Sequence, residues 1–96
     1  MNMKHKNQQI LPTKKGQIVR IYNPMPDEDP LTEYVVAEDP SPHTPHRKIL
    51  LYSITEIQRT QHAGGLPFGT SVEIKDLHVI GEDLRSWVES WNEHIP

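Results

Sequence analysis

The chain has 96 residues, which is enough for one small domain and too few for two separate cores. Its net charge of −3, with 24% charged and 34% apolar residues, is typical of an ordinary globular protein and gives no sign of a strongly basic nucleic-acid-binding chain. It contains no cysteine, which excludes disulfides, thiolate metal sites and a cysteine nucleophile.

The N-terminal residues 1–13 predict a mobile, basic tail. The first twenty residues carry only basic charges, at Lys4, Lys6, Lys14, Lys15 and Arg20. The weak periodicity up to Pro12 places the start of folded structure near Lys14, so that residues 14–96 form a single domain. The chain's start lacks the apolar segment of a signal peptide, and no run approaches the ~18 to 20 apolar residues of a membrane span. We therefore expect a cytoplasmic protein with no membrane partner.

Two short β-branched segments follow, each bounded by proline. Gln17–Tyr22 predicts a first strand that stops at a turn signal, and Tyr34–Ala37 predicts a second strand. Prolines recur through residues 24–30 and again through residues 40–45. Because proline neither donates to a sheet ladder nor fits inside a helix, both stretches are predicted loops.

The longest β candidate is Arg47–Gln58, which is apolar on both sides. A strand of this length in a small domain is expected to bend and to serve two parts of a barrel. A short helix over residues 54–62 has a similar local propensity, and the sequence leaves the two alternatives open. A glycine-rich loop is predicted over residues 63–69. In the segment after it, apolar and polar residues alternate, but the two successive polar residues Lys75-Asp76 interrupt the alternation. This slip predicts a bulge or two short strands joined there.

The C-terminal residues 82–94 predict an amphipathic helix. Its apolar face has the spacing i, i+3, i+4, i+7, i+11 and consists of Leu84, Trp87, Val88, Trp91 and Ile95. Because the strands supply few large core residues, we expect most of this face to cover the domain's own core. Trp91 and Ile95 lie at the end of the face, where a helix that outruns the barrel would present a surface to a partner.

Together these elements predict a mainly β (α+β) fold: a small antiparallel barrel or curled sheet of four to five strands with one C-terminal amphipathic helix. The segments Lys15–Val19, Lys48–Tyr52 and Ser71–Leu77 resemble strands of SH3-like small β-barrels. This resemblance covers residues 14–80 and concerns the fold alone. It implies binding of protein or nucleic acid more often than catalysis, and it assigns no functional residue.

The local motifs that suggest chemistry are incomplete. His43 and His46 lie three residues apart in a stiff proline-rich loop, whereas a closed metal site needs about four ligands. Asp27–Asp29 resembles the opening of a calcium loop but lacks the central oxygen ligand and glycine, and Gly64–Gly69 lacks the Gly-Lys-Ser/Thr ending of a phosphate-binding loop. We therefore predict no cofactor, no metal and no catalytic residue.

The sequence leads to three functional hypotheses. The first is a non-enzymatic β-barrel module that binds a protein partner or itself, with the candidate contact residues Phe68, Trp87, Trp91 and Ile95. For Phe68, packing against the end of the barrel is the favoured alternative to exposure. The second is a nucleic-acid-associated accessory protein that uses the basic tail, with the candidate residues Lys14, Lys15, Arg47 and Lys48. The third is a toxin-like nuclease on an SH3-like barrel, with His46, Arg47 and a nearby acid.

Overall fold

The computed structural model of the protein describes residues 8–83 and Arg85. These residues form one antiparallel sheet of five strands in the order β4-β3-β2-β1-β5. The strands are β1 (Ile18–Ile21), β2 (Tyr34–Val36), β3 (Lys48–Ser53), β4 (Gly69–Glu73) and β5 (Leu77–Gly81), with helix α1 (Ile54–Ala63) between β3 and β4 and a 3-10 turn (Ile74–Asp76) between β4 and β5. The predicted small antiparallel α+β fold is confirmed. The predicted C-terminal helix lies outside the described residues.

The sheet is curled. β4 and β5 occupy opposite edges, about 19 Å apart in a flat sheet of this width. Only the three-residue 3-10 turn joins them, and such a turn spans about 6 Å. The edges must therefore approach each other at the turn. No pairing joins β4 to β5, both of which lie in the described part of the chain, so the sheet curls without closing into a barrel.

The segment Arg47–Gln58 is not one bent strand, and that prediction is wrong. β3 ends at Ser53, whose backbone is extended and whose hydroxyl accepts a hydrogen bond of 3.0 Å from the Glu56 N–H. This is an N-cap, which satisfies a donor that a helix start leaves free, and α1 begins at the next residue. The helix ends at Gly64, which has a φ of 81° that few other residues tolerate. The helix alternative is correct.

The slip in apolar phase at Lys75-Asp76 is also explained. The 3-10 turn separates β4 from β5 there, which confirms the prediction of two short strands joined at this point. Ile74 remains buried in the turn, and its N–H donates to the Arg47 carbonyl at 3.0 Å. The next N–H, that of Lys75, donates to the Pro45 carbonyl at 2.8 Å. These bonds attach the second proline-rich loop to the turn.

The core lies on the inner face of the sheet and draws on four of the five strands. Its buried members are Val19, Ile21, Val36, Ile49, Leu51, Ile74, Leu77 and Val79. β4 contributes only the partly buried Val72, and its first three residues are exposed. The two edge strands therefore differ: β5 is part of the core, whereas β4 lies at its margin.

Residues 9–13 contact the sheet, so the first contacts precede the predicted boundary at Lys14. The Gln9 amide donates to the Lys75 and Leu77 carbonyls at 2.6 and 2.7 Å. The Val79 N–H donates to the Ile10 carbonyl at 2.8 Å, which continues this contact along β5. Residues 1–7 of the predicted tail lie outside the described residues. Within the part of the chain that the structure describes, no helix has the length and apolar character needed to cross a membrane.

Candidate functional site

The loop between α1 and β4 exposes two large apolar side chains. Leu66 is 86% exposed and Phe68 is 80% exposed. Phe68 therefore does not pack against the end of the sheet, which was the favoured alternative from the sequence. Exposed aromatic and aliphatic side chains two residues apart in one loop form a candidate contact surface for another protein.

Phe68 is held in place although its ring is in solvent. Its N–H donates to the Glu56 carboxylate at 2.9 Å, and the Arg59 guanidinium lies 5.6 Å from the centroid of its ring. Arg59 also forms an ion pair with Glu56 one turn earlier in α1. The hydrogen bond from Arg59, followed by that from the Phe68 N–H, lowers the pKa of Glu56, because both stabilise the carboxylate. The start of β4 is thus tied to α1 by a charged group that remains ionised at neutral pH.

Gly69, the residue after Phe68, allows two side chains of β3 to reach the edge of the sheet. A Cβ at this position would lie 2.5 Å from Leu50 Cδ1 and 3.0 Å from Tyr52 Cε1. Both side chains are half-buried and lie over the glycine, and a larger residue at this position would require their ends to shift. Leu50 and Tyr52 thus provide apolar surface at Gly69, the residue that follows Phe68.

A second candidate region is an open, mainly apolar cleft beside the 3-10 turn. Its volume of about 360 Å³ is in the range of sites that hold small molecules or single side chains. It is lined by Leu11, Pro12, Thr13, Pro40, Ser41, His43, Pro45 and Ile74. Five of these residues come from the second proline-rich loop and the turn to which it is attached, so the loop forms one wall of the cleft.

Glu38 contacts two basic side chains, those of Arg47 and of His43, which lines the cleft. Its Oε1 accepts from the Leu50 N–H at 3.0 Å, which fixes the carboxylate. Its Oε2 lies 3.5 Å from His43 Nε2 and 3.6 Å from Arg47 Nη2. The sequence pattern did not single out Glu38, because the residues that it meets lie five and nine positions further along an irregular loop.

The predicted nuclease residues are only partly brought together. Arg47 lies beside an acid, Glu38, as the hypothesis required. His46 instead lies 3.8 Å from Glu73 Oε1, and its side chain is 80% exposed. The histidine that shares the acid with Arg47 is His43.

The predicted nucleic-acid-binding residues do not form a uniformly positive surface. Lys14 Nζ lies 3.6 Å from a carboxylate oxygen of Glu82, and Arg47 lies beside Glu38. Lys48 is directly opposite Glu73 in the β3–β4 register, and Lys15 is exposed. Phosphate binding normally relies on clustered positive charge without interleaved acids.

Among the described residues, no three histidine, aspartate or glutamate side chains gather closely enough to hold a metal ion. His43 and His46 turn towards different acids, Glu38 and Glu73. The candidate contact residues Trp87, Trp91 and Ile95 lie outside the described residues. Phe68 is therefore the candidate contact residue whose surroundings are known.

Comparison with known proteins gave no match: no protein-family model, no curated protein and no solved structure is significantly similar to this chain.

Proposed function

We propose that the protein is a non-enzymatic interaction module that binds a protein partner, with Phe68 as its central contact residue. The observation that carries this proposal is that the Phe68 side chain is 80% exposed while its backbone and ring are both held by α1. A residue already fixed in its bound position loses little conformational entropy on association. Aromatic residues of this kind dominate the binding free energy of many interfaces.

The surroundings of Phe68 have the composition of an interface. Leu66 adds a second exposed apolar group, and the half-buried side chains of Leu50 and Tyr52 lie over the next residue of the chain, Gly69. The Glu56–Arg59 ion pair borders this surface. An apolar centre with a charged rim is the usual arrangement of a protein-binding patch.

The SH3-like resemblance belongs to the same proposal. The antiparallel strand order, with the two edge strands joined only by a 3-10 turn, supports it, because SH3-like barrels are small curled antiparallel sheets. Such barrels more often bind other molecules than catalyse reactions.

Photo-crosslinking tests the proposal directly. p-Benzoylphenylalanine would replace Phe68 in the cells that produce the protein, and a second variant would carry it at Leu31, which is 71% exposed on the loop between β1 and β2. We expect irradiation to give a discrete protein adduct at position 68 and none of the same mass at position 31. Excess unlabelled protein should suppress the adduct, whereas excess Phe68→Ala protein should not.

The control at Leu31 matters because any exposed apolar residue can react by chance. Equal adduct yields at the two positions, or suppression by the Phe68→Ala protein as effective as that by the unchanged protein, would show that Phe68 is not the contact residue. In either case the interaction function would lose its support.

A second candidate function is hydrolysis of RNA at the proline-lined cleft. The contact of one carboxylate, Glu38, with both His43 and Arg47 favours it, because a histidine oriented by an acid beside a guanidinium is suited to proton transfer at a phosphate. Cleavage of a single-stranded RNA that is lost in His43→Ala and retained in His62→Ala would support it. If the unchanged protein did not cleave the RNA while a control ribonuclease was active in the same buffer, this second function would be contradicted.

A further inference from the structure

The outer edge of β4 is open. β4 pairs with β3 on one side, and none of the described residues pairs with it on the other. Its first three residues, Gly69, Thr70 and Ser71, are exposed. It contains no proline or lysine, the residues that commonly block pairing at such an edge.

The direction of the backbone groups along this edge follows from Leu50. The Leu50 carbonyl accepts from the Ala37 N–H at 2.9 Å, and its own N–H donates to Glu38 at 3.0 Å. Both groups of Leu50 therefore point away from β4. Ser71 is directly opposite Leu50, and in an antiparallel ladder such a pair directs its groups to opposite sides. The N–H and carbonyl of Ser71 thus point outwards, as do those of Gly69 and the N–H of Glu73, whereas the Glu73 carbonyl accepts the first hydrogen bond of the 3-10 turn.

This arrangement makes the strand complementary to itself. If two copies of β4 pair antiparallel about a two-fold axis at Ser71, Ser71 faces its equivalent and Gly69 faces Glu73 of the other copy. The Ser71 pair then forms two hydrogen bonds, and each Gly69–Glu73 pair forms one, from the Glu73 N–H to the Gly69 carbonyl, which gives about four in all. We propose that the protein binds a second copy of itself through this β4–β4 pairing, which forms one continuous sheet.

The charges along the edge favour a second copy as the occupant. Glu73 is the one charged residue of β4, and the two-fold register places it opposite Gly69, away from the other copy's Glu73. Next to Gly69, the Arg59 guanidinium and the Glu56 carboxylate form an ion pair, so this part of the edge carries both signs of charge. Within the paired β4 strands, no two residues of like charge are therefore directly opposite each other.

The opposite edge of the sheet does not offer the same surface. The Val79 N–H of β5 is bonded to Ile10, and the Leu77 carbonyl is bonded to Gln9. The proposed pairing is therefore specific to β4, and a closed dimer rather than an open chain of molecules results. This inference deepens the proposed interaction function, because it names the partner as a second copy.

Engineered cysteines test the register, since the natural chain contains none. In the proposed pairing the two Ser71 Cα atoms are about 5.5 Å apart, a distance that a disulfide spans, whereas the two Thr70 Cα atoms are roughly 8 Å apart, which is too far. We expect Ser71→Cys to form a covalent dimer under mild oxidation and Thr70→Cys to remain a monomer. Light scattering of the unchanged protein should give twice the monomer mass at high concentration.

A proline variant provides an independent measurement. Because the Ser71 N–H points outwards, Ser71→Pro should keep the fold, as shown by an unchanged circular dichroism spectrum, and should lose the dimer. Equal cross-linking of Ser71→Cys and Thr70→Cys, or a strict monomer from micromolar to millimolar concentration, would overturn the pairing. A photo-adduct at position 68 with a different protein, together with a monomer, would overturn the pairing and leave the interaction function standing.

Discussion

The two edges of the sheet are treated differently by the rest of the chain. The β5 edge is buried and covered: Leu77 is fully buried, and residues 9 and 10 take up the outward-facing backbone groups. The β4 edge has exposed residues and no partner among the described residues. Exposed edges attract other strands, and within residues 8–83 no segment covers the β4 edge as the N-terminal segment covers the β5 edge. The contrast indicates that β4 is the edge available for association.

A matched pair of valine truncations should give the largest difference between the edges. Val79 of β5 is 7% exposed within the core, whereas Val72 of β4 is only partly buried at its margin. We expect Val79→Ala to lower the free energy of unfolding by about 2–3 kcal/mol, because it removes two buried methyl groups and leaves a cavity. Val72→Ala should cost about 1 kcal/mol, because its side chain is already partly in water. Urea denaturation measures both.

Equal losses for the two variants would contradict the assignment of β5 to the core and β4 to its margin. The comparison is best made at low protein concentration, because any pairing through β4 stabilises the folded state by mass action.

The next largest effect on stability is expected from a change at Gln9, because the Gln9 side chain covers the β5 edge. Gln9→Ala removes two hydrogen bonds, to the Lys75 and Leu77 carbonyls. We expect a loss of about 1–2 kcal/mol in the free energy of unfolding, since a net hydrogen bond contributes about 0.5–1.5 kcal/mol and one of these is exposed. Gln8→Ala is the control, because Gln8 is an exposed neighbour of the same type. If the two variants were equally stable, the N-terminal segment would not protect this edge.

The local features of the sheet could be predicted from the sequence, whereas its edges could not. β-branched residues located β1 and β2, and the slip at Lys75-Asp76 located the turn between β4 and β5. These signals are carried by neighbouring residues. The contacts of Gln9 join residues 66 and 68 positions apart, and no periodicity in either segment indicates such a contact.

The helix α1 and the exposed Phe68 show a second limit of prediction from the sequence. Residues 54–62 have similar strand and helix propensities, and the N-cap at Ser53 becomes decisive only once β3 is known to end there. The single phenylalanine was expected to fill space at the end of the sheet. Its position involves contacts with Glu56 and Arg59, which lie twelve and nine residues earlier in the chain and which no local pattern connects with it.

A smaller effect is expected from a change at His78, which lies in β5 and contacts the N-terminal segment that covers this edge. Its Nδ1 accepts from the Ile10 N–H at 3.0 Å, and its ring lies 5.8 Å from that of Tyr22. His78→Ala should remove the acceptor and speed hydrogen exchange of the Ile10 amide about fivefold, which corresponds to about 1 kcal/mol. His78→Asn offers an oxygen near the position of Nδ1 and should restore most of the protection, although it also lacks the ring. Equal exchange rates in the two variants would show that the Tyr22 contact, and not the hydrogen bond, holds the segment.

Acid should have the smallest effect, and it should act on the loop before β4, because that loop is held by the Glu56 carboxylate. The pKa of Glu56 lies below its ordinary value of 4.5, so its contribution to stability is complete above that pH and is lost as the pH falls through the lowered pKa. The amide of Phe68, which donates to Glu56, should therefore show a chemical-shift change with a midpoint below pH 4.5. The side chain of Gln9, which covers β5, does not titrate. In Glu56→Gln the inflection of the Phe68 amide should disappear; if it remained, another acid would hold the loop, and the tether between α1 and β4 would be wrongly assigned.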